Sequence, residues 1–141
     1  MRGAKDMENV NEIPEEEYKP FDLVEKIYDM MRYGHPILRN FPRRERHLAD
    51  TIDQKMDELL EYAIIIQKKY YKQTTLREID TTLAVLRRFV RLAQDEQYFN
   101  HSGNQKKVAP PLTKEQYEIW SRYMREVGNL IGGCMKSPNM K

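Results

Sequence analysis

Cysteine is almost absent from this chain: Cys134 is the only one in 141 residues. That excludes an intrachain disulfide and fits a reducing compartment. No apolar run approaches the ~18 residues that a membrane-spanning helix needs. The N-terminal residues are acidic and lack the hydrophobic stretch of a secretory signal. A soluble, cytoplasmic protein without membrane contact is expected. Strand-like alternation is missing, as is any internal repeat. Histidine is scarce, and His35, His47 and His101 each lack a second ligand three or four residues away, which argues against zinc. There is no Glu-x-x-His pair for di-iron chemistry. Gly132-Gly133 follows no strand and precedes no lysine–serine/threonine pair, so it is not a phosphate loop. Cys134 continues an apolar stripe and reads as packing rather than as a nucleophile. No catalytic residue, metal site or cofactor is expected, and the chain does not read as an enzyme.

Charge, by contrast, is plentiful. There are 24 basic and 22 acidic residues, a net of +2. Residues 1–20 hold three basic and six acidic residues, which leaves 21 basic and 16 acidic, or +5, for the rest. The segment 1–20, with Pro14, Pro20 and the run Glu15-Glu16-Glu17, is expected to be an acidic disordered tail. Residues 21–136 are expected to form one domain, and 137–141 a second tail. The basic surplus permits nucleic-acid binding without demanding it.

Apolar periodicity supplies the fold. Leu76, Ile79, Leu83, Leu86, Val90 and Ala93 recur in steps of three and four, one stripe of a helix opened by the box Thr75–Glu78. The second helix is expected from about Arg44 to Tyr71, with the stripe Leu48, Ile52, Met56, Leu59, Ala63, Ile66 and Tyr70. The first opens at Asp22 with Glu25 three residues on and uses Val24, Ile27, Met31 and Leu38. Gly34 and Pro36 predict a kink or early stop in its last turns. The fourth opens with Thr113–Gln116 and uses Tyr117, Trp120, Met124, Val127, Ile131 and Cys134. Short connections make this an all-α, antiparallel up-down-up-down four-helix bundle. Second stripes remain: Leu60, Ile64 and Tyr71 on the second helix, and Val85, Phe89 and Leu92 on the third. Leu60, Ile64, Val85, Phe89 and Leu92 are therefore candidates for an oligomer interface.

The cations fall into three groups. A turn centred near Gln73-Thr74 sets Arg91 level with Met56 and near Lys55. A loop centred near Lys106 sets Arg88 level with Met124. Lys55, Arg87, Arg88, Arg91, Arg122 and Arg125 thus form one belt. Lys68, Lys69, Lys72 and Arg77 gather at the turn between the second and third helices. Arg43, Arg44 and Arg46, with Arg39, occupy the connection between the first and second. Guanidinium groups grip phosphate bidentately, so all three are candidates for nucleic-acid or polymerase contact. Each group also has an ordinary reading: lysines suit a helix C-terminus, and Arg122 has Glu118 and Glu126 at four-residue spacing. Tyr62, Tyr70 and Tyr71 are of the type that stacks on bases, yet in so apolar a helix they read as core or interface residues.

Three segments carry a resemblance. They are Phe41-Pro42-Arg43-Arg44-Glu45-Arg46, Leu83-x-x-Leu86-Arg87-x-Phe89-x-Arg91-Leu92-Ala93 and Val127-Gly128-x-x-Ile131-Gly132-Gly133. Their order and spacing resemble the Avd-like (accessory variability determinant) proteins of diversity-generating retroelements. The four-helix proteins encoded in ribosomal RNA intervening sequences share the Phe-Pro and Gly-Gly ends. They carry a Ser-Ile-Pro-x-Asn-Ile-Ala-Glu-Gly-like segment where this chain has Glu61-Tyr62-Ala63-Ile64-Ile65-Ile66. A stand-alone RNA-binding or structural bundle of that kind is the alternative. The Avd-like resemblance implies a pentameric barrel of four-helix bundles. It implies a non-enzymatic subunit that binds the element's reverse transcriptase and template-repeat RNA and supports mutagenic cDNA synthesis. The acidic tail and the segment Asn100–Pro111 depart from the family pattern.

Overall fold

In the computed structural model, residues 20–68, 73–100 and 106–136 are described. Expectations for residues 1–19 and 137–141, and for Lys69, Tyr70, Tyr71, Lys72 and His101, lie outside the described residues. Among those residues the regular structure is all helical. Four long helices carry the fold: α1 (Pro20–Arg39), α2 (Arg46–Lys68), α3 (Gln73–Leu92) and, after a single-turn helix α4 (Glu96–Phe99), α5 (Lys114–Lys136). A 3-10 turn, Arg43–Glu45, leads into α2.

α1 packs on α2, α2 on α3, α3 on α5, and α5 back on α1. Cross-helix neighbours give the directions. Lys26 meets Glu126 at 3.1 Å, while further along α1 Gly34 meets Trp120. Leu83 lies beside Gly128, and one turn on Arg87 reaches Met124. Both pairs of helices are therefore antiparallel.

The core follows the apolar stripes. Ile52, Met56 and Leu59 of α2, Leu76 through Val90 of the α3 stripe, and Trp120, Val127 and Ile131 of α5 are fully buried. Each contributes about 1.5–3 kcal/mol relative to exposure. On α1 the expected stripe shifts: Leu23 and Met30 are fully buried, while Met31 is half-buried.

Local start and stop signals fared unevenly. The Thr113–Gln116 box is present in both directions: the Gln116 N–H donates to Thr113 Oγ1 and the Thr113 N–H to Gln116 Oε1, each at 3.0 Å. Thr75 is not a start, because α3 already begins at Gln73. Glu78 instead accepts from the Tyr62 hydroxyl at 3.4 Å. α1 begins at Pro20, two residues before Asp22; proline's fixed φ suits a first helical position. The early stop expected at Pro36 does not occur, and α1 runs on to Arg39. Pro36 lies on the exposed face near the helix end, where the loss of one helical hydrogen bond is tolerable.

The described residues after α3 are tied down by side-chain and backbone hydrogen bonds. Asp95 caps α4 by accepting from the Gln97 and Tyr98 N–H groups at 2.9 and 3.2 Å. The Asn100 side-chain amide pairs with Val108 as a peptide would. It donates to the Val108 carbonyl at 2.8 Å and accepts from the Val108 N–H at 2.7 Å. The Leu112 N–H then donates to the Ala93 carbonyl at 3.1 Å, seating the chain on the end of α3 before α5 starts.

Two glycines predict opposite effects. A Cβ at Gly34 would sit 2.5 Å from Trp120 Cζ2, and the rigid indole has no room to retreat. Gly34→Ala is expected to lower stability by about 1–3 kcal/mol through overpacking. A Cβ at Gly132 meets nothing within 4 Å. Gly132→Ala is expected to raise stability by about 0.5–1 kcal/mol through helix propensity. Chemical denaturation of the two variants checks both signs.

Candidate nucleic-acid interface

Register decides which cations share a level. Leu83 beside Gly128 and Arg87 beside Met124 set Arg122 and Arg125 level with residues 89 and 86 of α3. Arg88, Arg91, Arg122 and Arg125 consequently fall within about 8 Å along the bundle axis, at 1.5 Å per residue. The α2–α3 register differs from expectation. Tyr62 of α2 meets Glu78 of α3, which sets residue 62 level with 78 where a turn centred near Gln73-Thr74 would set it level with 85. Arg91 is therefore level with residue 49 rather than with Met56, a displacement of about 10 Å. Lys55 is level with Val85, at the lower margin of the belt.

The belt's members differ in what they already hold. Arg88, Arg91, Arg122 and Arg125 are exposed, and none has an ion-pair or hydrogen-bond partner among the described residues. Arg122 does not pair with Glu126, because Lys26 of α1 takes that carboxylate at 3.1 Å. The contact holds the Lys26 ammonium pKa above its usual value. Arg87 lies across Gly128 and donates to the Met124 carbonyl at 3.4 Å, so it serves the α3–α5 contact. Lys55 is half-buried and paired with Glu58 at 3.1 Å.

The other two groups divide likewise. Arg46 Nη2 donates to the Leu38 carbonyl at 2.7 Å, capping the end of α1, and its Nε lies 3.4 Å from Asp50. That is an architectural task that residue type and spacing did not disclose. Arg44 makes a loose pair with Glu45 at 3.8 Å. Arg43, Lys68 and Arg77 are exposed and without a partner among the described residues.

Helical angles place these groups on sides of the bundle. Arg87 faces α5, and Arg91, Arg88 and Arg77 follow round the same flank of α3, about 40–100° further out at 100° per residue. Arg125 lies about 60° from Gly128, on the α3 flank of α5. The side formed by α3 and α5 thus carries a surplus of cations over its acidic residues, Asp80 and Glu118. Arg122 sits over the ridge of α5, beside Tyr123 and Glu126. The remaining apolar residues do not form one patch. Val85, Phe89 and Leu92 are half-buried on the α2 flank of α3. Tyr62 marks the α3 flank of α2, and Leu60 and Ile64 point about 160° away from it, toward α1.

Among the described residues, no three His, Cys, Asp or Glu side chains gather closely enough to hold a metal ion, and no helix is long and apolar enough to cross a membrane. Cys134 is fully buried, and burial pushes its thiol pKa up to about 11.

A family model described as bAvd-like matches residues 22–138. No curated protein matches the chain.

Two outcomes follow from these contacts. Arg46→Ala is expected to lower stability by about 1 kcal/mol, the loss of one hydrogen bond to a carbonyl that the Phe41 N–H, at 3.1 Å, continues to serve. Arg88→Ala and Arg91→Ala should stay within about 0.5 kcal/mol of the parent; thermal denaturation separates the two classes. In the folded protein at pH 8, Cys134 should resist thiol reagents at millimolar concentration and react only as fast as the chain opens. Stoichiometric labelling within seconds would contradict its burial.

Proposed function

Because the chain belongs to the bAvd-like family, we propose that it is a non-catalytic accessory subunit of a diversity-generating retroelement. In this role it binds the element's reverse transcriptase and template-repeat RNA and supports mutagenic cDNA synthesis. Besides the family, one observation carries the RNA half of this reading: four arginines without a partner among the described residues, Arg88, Arg91, Arg122 and Arg125, held at one level on two stiff helices. Such groups bind phosphate through bidentate, charge-assisted hydrogen bonds and carry no information about base identity. Arg77 and Lys68 extend the surface toward the α2–α3 turn.

Self-association into a homopentameric barrel belongs to the same reading. Its support is the apolar ridge Val85, Phe89 and Leu92, which the bundle leaves half-covered. Leu60 and Ile64 form a separate patch. A ring joins two different surfaces of neighbouring copies, so separate patches fit a ring better than one continuous stripe does.

Charge reversal at Arg88, Arg91 and Arg125 is expected to weaken binding of a template-repeat RNA at least tenfold. The slope of log affinity against log salt should flatten by about 2, the loss of three phosphate contacts. Fluorescence anisotropy over a salt series reads both quantities. Unchanged affinity and slope in a folded variant would remove this belt from the RNA site.

A further inference from the structure

The belt of arginines ends at a cavity. A space of about 660 Å³ lies where the C-terminal end of α3, the single-turn helix α4 and the start of α5 meet. Arg91 and Gln94 line it from the α3 end, Glu96 and Gln97 from α4, and Pro110 and Lys114 from the approach to α5. Two further polar groups on its wall are already used. The Asp95 carboxylate caps α4, and the Thr113 hydroxyl serves the box that opens α5. The start of α5 therefore has little left to offer a ligand. The remaining polar groups are free: Arg91, Gln94, Glu96, Gln97 and Lys114 have no side-chain partner among the described residues. Five unengaged polar side chains, from three separate segments, converge on one cavity.

The charges select the occupant. Arg91 and Lys114 are offset by Asp95 and Glu96, so a bare anion meets as much repulsion as attraction. A group that carries both an anion and N–H donors finds a partner for each part. A nucleotide has that composition. Its phosphate suits the guanidinium and the ammonium. Its base edge suits the two primary amides, which both donate and accept, and a carboxylate, which accepts from base N–H groups. Pro110 and Ala109 offer apolar surface to the flat face of the base. The size also fits, since small-molecule sites span about 300–1,000 Å³. Continuity with the belt ties the cavity to RNA. Arg91 belongs to both, and Arg88 lies only about 4.5 Å back along α3. A strand held on the belt therefore passes the cavity. A base within a duplex hides its edge in pairing, so only an unpaired one can enter.

We propose that this cavity receives one unpaired nucleotide of the RNA held on the belt. Arg91 and Lys114 hold its phosphate, and Gln94 and Gln97 bind its base edge. Guanine matches best, because its adjacent N1 and N2 donors suit the Glu96 carboxylate. The belt supplies affinity for RNA of any sequence. The cavity adds a preference for strands that carry a bulged or looped-out base.

The inference rests on the RNA half of the functional reading, and the test separates the two. The probe is a labelled RNA hairpin with one bulged guanosine, set against the same hairpin with an abasic residue at the bulge. The two carry equal charge, so the contribution of the belt cancels. Fluorescence anisotropy should show the wild type binding the guanosine hairpin about tenfold more tightly, the worth of roughly one hydrogen-bonded base. Gln94→Ala/Gln97→Ala should lose that preference while keeping wild-type affinity for the abasic hairpin and the wild-type salt slope. Ala109→Trp, which fills the cavity without changing charge, should do the same. A 6-thioguanosine at the bulge should crosslink to a peptide that includes residues 94–97 or 109–114. Equal wild-type affinity for the two hairpins would overturn the nucleotide site and leave RNA binding by the belt standing. So would an undiminished preference in either variant, or a crosslink confined to other peptides. A wild type that bound neither hairpin would overturn both.

Discussion

The seat of Trp120 on Gly34 is the contact on which the arrangement depends. α1 and α5 are far apart in sequence, and closing the ring of four helices requires them to meet. The indole lies so close to α1 that only a hydrogen fits at position 34. Tyr33 meets the same ring edge-on with centroids 6.2 Å apart, and stacks against Tyr123 at 5.6 Å. These contacts fix the register of α5 along α1. With the register set, Lys26 comes opposite Glu126 and captures it. That capture takes Glu126 away from Arg122, which has no ion-pair partner among the described residues. A packing constraint in the core thus determines a free charge on the surface.

The same logic distributes charge between sides. Each long helix buries one stripe and keeps two flanks. On α3 one flank carries Arg77, Arg88 and Arg91 and the other carries Val85 and Phe89. On α2 one flank carries Tyr62 and the Lys55–Glu58 pair, and the other carries Asp53, Asp57, Leu60 and Ile64. Because neighbouring helices present matching flanks, the bundle gains a cationic α3–α5 side, an apolar α2–α3 ridge and an acidic, partly apolar α1–α2 groove. A net charge of +2 conceals this partition. On the proposed reading, the partition lets one small bundle hold RNA on one side and associate with itself through others.

Much of the fold was legible in the sequence because burial follows helical periodicity. The described stripe residues of α2, α3 and α5 are buried, apart from half-buried Tyr117, and the Thr113–Gln116 box is present. What failed were inferences from local punctuation. Gly34 read as a helix breaker, yet it is a contact site. Pro36 read as a stop, yet on an exposed face near a helix end the loss of one hydrogen bond is tolerable. Thr75–Glu78 has the spacing of a capping box, but α3 had already begun, and the glutamate faces Tyr62 instead. The candidate site was legible as a set of arginines but not as a working subset. Whether an arginine is free depends on what the tertiary register brings opposite it. Arg46 was claimed by the Leu38 carbonyl and Arg87 by that of Met124. The separation of Leu60 and Ile64 from the α3 ridge likewise became visible only once Tyr62 showed which flank of α2 faces α3.

The central claim is that RNA is held on one side of the bundle by those arginines that the fold leaves unengaged. Arginine-specific footprinting with phenylglyoxal, read by mass spectrometry with and without bound RNA, addresses it most directly. The account predicts that RNA shields Arg88, Arg91, Arg122 and Arg125, while Arg32 and Arg39 of α1 react as in the free protein. Shielding of Arg32 and Arg39 with unchanged reactivity at Arg88 and Arg91 would place the RNA on the acidic side and contradict the account.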